Sequence, residues 1–578
     1  MGEWNNLSFI RIRQIVLGPI LCCLFLVLAI LAAHPVAEMG VDDDWSYIWS
    51  ARALVTTGHI VYNGWATAIL GWQLYWGSFF IRQFGFSFLI ARLSVLIIGL
   101  ATIVLIQRLF CRLGISAWNA TIGTLAIALS PVFLPASFTF MSDVPALLCI
   151  VLCFYSCTRA IQTNSAGKTI GWLVFATLTN VAGGTVRQVA WLGALVVVPC
   201  TAWHLRRRNG VTVVAFGLWV LSIGAIAWAM HWFSQQPYSL TDALIHLPHG
   251  RIKGILQNII FRNILAISFY LLPIIAAFIA KLPLHDRQTH RQATILASVF
   301  VLIGVLGLIS NDQFTLAGEF PGGTVNRGLL SGSGILGRQP DIVPYEFRLV
   351  VTLLLIFSIF GFVLFLLNVS KLQRRDWKGR TDFTWNSIGV MFVPYSVAYI
   401  FLIVTRTSVF DRYLIPLILL AMVGLLRLYE QKVGGRLPAL TVVLILVLGA
   451  YGVGQLHDLY ARDRAILAIT NEVLSTGVTR SEIRAGFEYD AWTQLQNSGY
   501  INEPRLVVPK GTYKVYPMQR GLSIACQSWF SDQMPSLSLR YALSYDESTC
   551  YTPSSFTPVS FNAWLFQHHR TLYVQKIP

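Results

Sequence analysis

The chain has 578 residues, of which 55% are hydrophobic and 12% are charged. A soluble domain is about 45–50% apolar and about a quarter charged, so this composition excludes an ordinary soluble protein. The formal net charge of +17 comes from short clusters of Lys and Arg between apolar runs, a pattern that membrane topology explains. We therefore expect no nucleic-acid partner.

Apolar runs recur along the chain at the length of about 20 residues that a helix needs to cross a bilayer. About thirteen are found, near 14–33, 87–107, 117–136, 144–161, 170–182, 188–204, 212–231, 261–280, 293–310, 347–368, 384–405, 413–428 and 438–455. Cytoplasmic loops are enriched in Lys and Arg, and with the N-terminus inside, clusters such as Arg206 to Arg208 fall on that side. The sequence predicts a polytopic α-helical membrane protein with about thirteen transmembrane helices over residues 1–455, in a bacterial inner membrane.

The same topology assigns three long loops, 34–86, 232–260 and 311–346, to the exterior face. It also makes the C-terminal segment 456–578 a periplasmic or extracellular domain, which short alternating segments predict to be small and mixed α/β. Loop 311–346 is rich in glycine, typical of a mobile lid or of a long connector. His246 and His249 have no third ligand nearby in sequence and are interpreted as loop histidines.

The first exterior loop is rich in aromatic residues. Residues 45–57 have the pattern of an amphipathic helix at the membrane interface, and Gly58 is a typical helix end. Further along the loop, Trp65, Trp72 and Trp76 match the aromatic belt found at headgroup depth. The loop is therefore expected to lie along the membrane.

Acidic residues follow the first and third apolar runs on the exterior face. Asp42, Asp43 and Asp44 are consecutive and suit a base, a metal, an ammonium ligand or a solvated acidic turn. Asp143 lies in a short turn of the same face, where it can join a site or cap the next helix.

Isolated arginines mark the exterior ends of later runs. Arg187 follows a Gly-Gly pair, and its planar fork suits an anion. Arg406 and Arg412 lie outside, against the topological trend, with a salt bridge to Asp411 as the modest alternative. Together, acids and arginines on one face outline a site where a carboxylate takes a proton from an acceptor and cations hold a phosphate.

Two of the nine cysteines, Cys526 and Cys550, lie in the exterior segment. An oxidising compartment makes a disulfide between them plausible. The other seven sit in or beside apolar runs, where cysteine usually packs as a small hydrophobe.

In the order of these landmarks the chain resembles the polyprenyl-phosphate-sugar glycosyltransferases of the C superfamily, particularly the protein O-mannosyltransferase and lipid A aminoarabinose transferase family. The matching positions are the run Asp42 to Tyr47, Ser142-Asp143, the Gly-Gly-x-x-Arg187 turn, and the run from Asp411 through Arg412 and Tyr413 to Pro416. The resemblance covers most of residues 10–455.

The resemblance implies that an acidic residue of the first exterior loop is the catalytic base. Aligning Tyr47 with the family's tyrosine puts that base at Asp43, with Asp42 as the rival assignment. Asp143 would orient the acceptor or the base, Arg187 and Arg412 would hold the lipid phosphate, and Asp42, Asp44, Tyr47, Arg406 and Tyr413 would complete the binding site.

The implied partners are a polyprenyl-phosphate sugar, membrane lipid and an acceptor that is a protein, a lipid or an envelope glycan. No cofactor is certain, and a divalent metal stays open because members of the superfamily differ. The alternative function is a transporter or flippase for a lipid-linked saccharide, which would have its charged residues deep within the spans.

Overall fold

The computed structural model describes residues 2–241, 261–281, 287–309, 334–338, 344–376, 383–406, 409–515, 526–566 and 568–578. Within these ranges the chain forms a bundle of helices with a small domain of helices and strands at one end. His246, His249 and most of loop 311–346 lie outside the described residues.

The helices follow one another with short connections. In the first part of the chain they are α1 (Gly2–Ala33), α2 (Asp44–Thr57), α3 (Gly71–Phe84), α4 (Phe88–Arg112), α5 (Ala117–Ala128), α6 (Phe133–Ala136), α7 (Asp143–Gln162), α8 (Ala166–Val186), α9 (Val198–His204) and α10 (Val211–Ser234). In the second part they are α11 (Phe261–Tyr270), α12 (Leu272–Lys281), α13 (Arg287–Ile309), α14 (Tyr345–Asp376), α15 (Phe383–Val404), α16 (Ile415–Lys432), α17 (Ala439–Ser475) and α18 (Phe487–Ser498).

The helices confirm a polytopic membrane protein. Among the described residues, eight helices are long and apolar enough to cross a membrane, and the pair α11–α12, bent by 72°, is a ninth if it counts as one span. Every predicted apolar run coincides with a helix, but several of these helices are broken. The run 117–136 covers α5 and α6, and the run 188–204 passes through a π-helical turn before α9. These breaks account for the difference between thirteen runs and eight or nine long spans.

The C-terminal domain is mixed α/β, as predicted. Its strands are β1 (Ile483–Arg484), β2 (Tyr541–Ser544), β3 (Thr552–Pro553), β4 (Val559–Asn562) and β5 (His569–Lys576). They are ordered β1-β2-β5-β3, with β4 also pairing with β5, and only β1 and β2 run parallel. Helix α17 leaves the bundle without a break at the predicted domain boundary of 455 and packs its last turns against this domain.

The predicted exterior loops meet at the end of the bundle that carries this domain. Ile501 N–H donates to Asn63 O at 2.8 Å, and Gly64 N–H donates to Tyr238 O at 2.8 Å. In the described part of loop 311–346, Leu336 N–H donates to Leu543 O of β2 at 3.2 Å. The three loops and the C-terminal domain therefore form one continuous face of the molecule, as the predicted topology requires.

Candidate active site

The predicted acids lie where the chain passes from α1 into α2. Helix α2 begins at Asp44 and ends at Gly58, which adopts a left-handed φ of +78°, so the predicted first-loop helix is confirmed. Before it, residues 34–43 form a non-helical turn, which we call the first-loop strap. Asp42 has a φ of +54°, a conformation that Asp adopts more readily than most residues. Asp43 occupies the N-cap position of α2, but its side chain does not cap the helix.

Asp44 points away from the other two acids and forms a buried ion pair with Arg92 of α4. Arg92 Nε lies 2.8 Å from Asp44 Oδ2, and the side chains are 1% and 0% exposed. Asp44 Oδ1 accepts hydrogen bonds from Arg92 Nη2 at 3.2 Å and from Val41 N–H at 2.7 Å. Because both carboxylate oxygens are occupied and buried, Asp44 holds the turn together and does not fit the predicted binding role.

Arg412 forms the centre of the candidate site, in the 3₁₀ turn Asp411–Leu414 that precedes α16. Its Nη1 lies 2.8 Å from Asp42 Oδ2, its Nη2 lies 3.7 Å from Asp43 Oδ2, and its Nε lies 3.5 Å from Asp143 Oδ2. One guanidinium thus faces three carboxylates from two separate parts of the chain. The alternative salt bridge of Asp411 is replaced by other contacts, since its carboxylate accepts from the Tyr270 hydroxyl and the Arg412 backbone N–H.

Arg187 is the second cation of the site, directly after α8. Its Nη1 lies 2.5 Å from Asp143 Oδ1, and its guanidinium carbon lies 4.0 Å from the centre of the Tyr413 ring. Asp143 is the first residue of α7, and its carboxylate bridges the two arginines instead of capping the helix. The structure therefore brings together Asp42, Asp43, Asp143, Arg187, Arg412 and Tyr413.

A cavity of about 100 Å³ opens beside Arg187. Its polar lining includes Tyr47, Arg187 and Arg406, and its apolar lining includes Leu402 and Ile403. Tyr47 and Arg406 are thus also at the site. A cavity with cations at one end and aliphatic side chains along its wall suits an anionic group attached to a lipid chain.

The environment of Asp43 makes its carboxyl a weak acid. Burial and the neighbouring charge of Asp42 raise the pKa of Asp43 to about 7, against the opposing influence of Arg412 and of a hydrogen bond from Trp65. A carboxyl with a pKa near neutrality can accept and release a proton at working pH.

Trp65 and Arg92 are two site residues that the sequence did not reveal. Trp65 Nε1 donates a hydrogen bond to Asp43 Oδ1 at 2.8 Å, although its spacing in sequence matched an interfacial aromatic belt. Arg92 lies inside an apolar helix, where an intramembrane arginine is a recognisable signal of function or of a buried pair.

The residues of the site do not form an obvious metal centre. Across the described ranges, no group of three His, Cys, Asp or Glu side chains is arranged to hold a metal ion. The carboxylates of Asp42, Asp43 and Asp143 face arginine instead.

Fold and site together define a multi-pass helical membrane protein with a cluster of acids and arginines at the mouth of a cation-lined cavity. Neither the protein-family models nor the curated proteins contain a match. Similar solved structures include ArnT from Cupriavidus metallidurans, with 14% identity, a TM-score of 0.36, and coverage of 81% of this chain and 82% of ArnT. Another is the Archaeoglobus fulgidus oligosaccharyltransferase, with 15% identity, a TM-score of 0.41, and coverage of 79% of this chain and 56% of that protein.

A third similar structure is the S. cerevisiae protein O-mannosyltransferase Pmt1-Pmt2 complex with its sugar donor, at 14% identity and a TM-score of 0.32. That similarity covers 41% of this chain and 36% of the yeast chain. All of these TM-scores lie below 0.5, so the function is argued from the geometry of the site.

Proposed function

We propose that this chain is a membrane glycosyltransferase that moves a sugar from a polyprenyl-phosphate donor to an acceptor hydroxyl on the exterior face, with inversion. The carrying observation is the meeting of three carboxylates and two guanidinium groups at the mouth of the cavity. The acceptor is a protein, a lipid or an envelope glycan. The enzyme would work in the bacterial inner membrane with its C-terminal domain in the periplasm.

The reaction needs one base and one anion site. The acceptor oxygen attacks the anomeric carbon while its proton passes to Asp43. The bond from that carbon to the phosphate oxygen breaks, and its electron pair leaves with the lipid phosphate. Because a phosphate is a stable leaving group, no second carboxylic acid has to protonate it, unlike in most glycosidases.

Asp43 suits the base better than Asp42 does. Asp42 is paired with Arg412 at 2.8 Å, whereas the nearest Arg412 nitrogen to Asp43 Oδ2 is 3.7 Å away. A close cation stabilises a carboxylate as an anion and weakens it as a proton acceptor. The Asp43 side chain is 26% exposed, so an acceptor can reach it.

Arg187 and Arg412 suit the departing phosphate. Each is tied to Asp143, so a single carboxylate orients both guanidinium groups toward one region. A guanidinium presents a planar fork of donors that matches phosphate oxygens. Arg406, on the cavity wall, would add a third cation, and Tyr47 a hydroxyl.

The transporter alternative is less well supported by this arrangement. A transport pathway concentrates charged residues deep within spans, whereas Asp143 and Arg187 lie at the first residue of α7 and directly after the last residue of α8. A charge cluster at helix ends favours chemistry at the membrane surface.

Donor consumption tests the proposal. Purified protein would be incubated with a panel of polyprenyl-phosphate sugars, and donor loss and free polyprenyl phosphate would be followed by mass spectrometry. We expect at least one donor to be consumed by the wild-type protein and none by Asp43→Asn, because an amide cannot take the proton.

The matched control is Glu547→Gln, which neutralises an exposed carboxylate of the C-terminal domain. It should keep wild-type activity. No turnover across the panel, or transport of intact donor across vesicles, would reject the glycosyltransferase in favour of the transporter.

A further inference from the structure

We infer that Trp65 is a positioning residue for Asp43, and that the C-terminal domain acts on the same carboxylate through the ring of Phe487. The inference rests on the proposed function, since it assigns to Asp43 the role of base. It gives the C-terminal domain a part in the reaction, beyond that of a separate exterior module.

The contact between Trp65 and Asp43 divides the work of the two carboxylate oxygens. Trp65 Nε1 donates to Oδ1 at 2.8 Å. The other oxygen, Oδ2, lies 3.7 Å from Arg412 Nη2, which is beyond hydrogen-bond distance. One oxygen is therefore fixed, and the other is left to meet the acceptor hydroxyl.

The Trp65 ring is held between aromatic rings from two different parts of the chain. Its centre lies 5.5 Å from that of Trp45 in α2 and 5.2 Å from that of Phe487 in α18. Trp45 and Phe487 also meet edge to face at 5.6 Å. Trp45 is 0% and Phe487 5% exposed, so neither ring can move aside without opening a cavity.

Phe487 is anchored inside the C-terminal domain. Its ring lies 5.3 Å from that of Phe530, which is 1% exposed. Phe530 follows Cys526 closely in sequence, and that cysteine forms the disulfide with Cys550. The domain thus presents Phe487 from a tied and buried base. This gives a continuous path of packed rings to the carboxylate.

The chemistry of the indole sets the direction of the effect. An indole N–H only donates hydrogen bonds, so it stabilises the ionised carboxylate. The charged groups that face Asp43 are Asp42 of the same turn, Arg412 before α16 and Asp143 of α7. Of these groups, only Arg412 also favours the anion, so loss of the indole N–H leaves the carboxylate harder to ionise.

The test is the pH dependence of donor consumption by Trp65→Phe, which keeps the aromatic ring and removes the N–H. We expect the acid-side midpoint of kcat/KM to move up by about one pH unit, and kcat at neutral pH to fall about tenfold. Trp49→Phe is the matched control, because Trp49 lies in α2 against Trp492. Its midpoint should equal that of the wild type.

A purely structural role for Trp65 predicts a different result, in which activity falls by the same factor at every pH and the midpoint stays in place. That result would overturn the inference while leaving the proposed function intact. Failure of the proposed function is recognised separately, since Asp43→Asn would then keep its activity.

The part played by the C-terminal domain is tested with Phe487→Leu, alone and combined with Trp65→Phe. We expect a smaller upward shift of the midpoint in the single variant and no further shift in the double variant, because both changes act through one hydrogen bond. An unchanged midpoint in Phe487→Leu, or fully additive shifts, would overturn the route through Phe487.

Discussion

At the scale of single residues, Asp43 and Asp42 differ in the cation that each can use. The pKa of Asp43 is raised to about 7 by burial and by the Asp42 charge, above the value near 4 of an exposed carboxyl. A base is active when deprotonated, so kcat/KM should rise with pH through a midpoint near 7. The pH profile of donor consumption measures this midpoint directly.

Asp42→Asn gives a second prediction with an opposite sign. It removes a negative charge that raises the pKa of Asp43, so the midpoint should move to lower pH while activity at high pH persists. The experiment also decides between the two aspartates. An inactive Asp42→Asn beside an active Asp43→Asn would make Asp42 the base.

Arg412 uses three nitrogens on three carboxylates, a geometry that lysine cannot reproduce. Arg412→Lys should therefore lower donor consumption by about two orders of magnitude, since one ammonium cannot orient all three acids and a phosphate. Steady-state kinetics with the best donor measures the loss. Arg505→Lys, whose residue is half-exposed in the C-terminal domain, serves as the control.

Most of these residues could be predicted from the sequence, because a charged side chain at the end of an apolar run needs a physical reason. Asp43, Asp143, Arg187 and Arg412 carried that signal. Their pairing could not be predicted, since it joins parts of the chain far apart in sequence. Trp65 was hidden, because an aromatic residue in an exterior loop matches an interfacial belt equally well.

At the scale of elements, Arg92 of α4 fixes the first-loop strap from below. Its Nη1 donates to Ala37 O at 3.2 Å and its Nη2 donates to Met39 O at 2.6 Å, in addition to the pair with Asp44. From the other side, Arg464 Nη1 of α17 donates to His34 O at 2.9 Å. The strap that presents Asp42 and Asp43 is therefore held by two arginines from separate helices.

Asp44→Asn should destabilise the protein strongly although Asp44 does not belong to the candidate site. It leaves the buried Arg92 cation without its counter-charge, and breaking such a pair costs about 3–5 kcal/mol. Thermal unfolding in detergent should show a clear loss of stability and reduced activity at every pH. An unchanged unfolding temperature would mean that the pair does not hold the strap.

The helices themselves could be predicted well, since length and apolarity determine a span. The interruptions could not. The 72° bend between α11 and α12 and the π-helical turn at Gly193–Val197 lie within continuous apolar runs. Hydropathy measures the solvent of a segment and not its backbone hydrogen bonds, so a bent and a straight helix look alike.

At the scale of the whole molecule, the C-terminal domain completes the site. The sequence predicted a small mixed domain but not its topology, because strands of two to eight residues carry little periodic signal. Its position next to α2 follows from tertiary packing, such as that of Trp49 against Trp492 at 5.4 Å. Because α17 continues from the bundle into this domain, the two parts are held in one arrangement.

The disulfide gives a prediction for this arrangement. Cys526 and Cys550 are joined, as the sequence allowed, across a separation of 24 residues. Closing a loop of this size stabilises the folded chain by about 3 kcal/mol in the entropic account. The double change Cys526→Ser and Cys550→Ser should therefore loosen the segment that carries Phe530, and limited proteolysis should cleave the C-terminal domain faster.

The same variant links stability to catalysis, because Phe530 supports Phe487 and Phe487 supports Trp65. We expect its acid-side midpoint for donor consumption to move up, in the same direction as that of Trp65→Phe. Cys200→Ser, at a free cysteine of α9, controls for the loss of a thiol and should change neither property. Faster proteolysis with an unchanged midpoint would separate the stability of the domain from the base and contradict the path of packed rings.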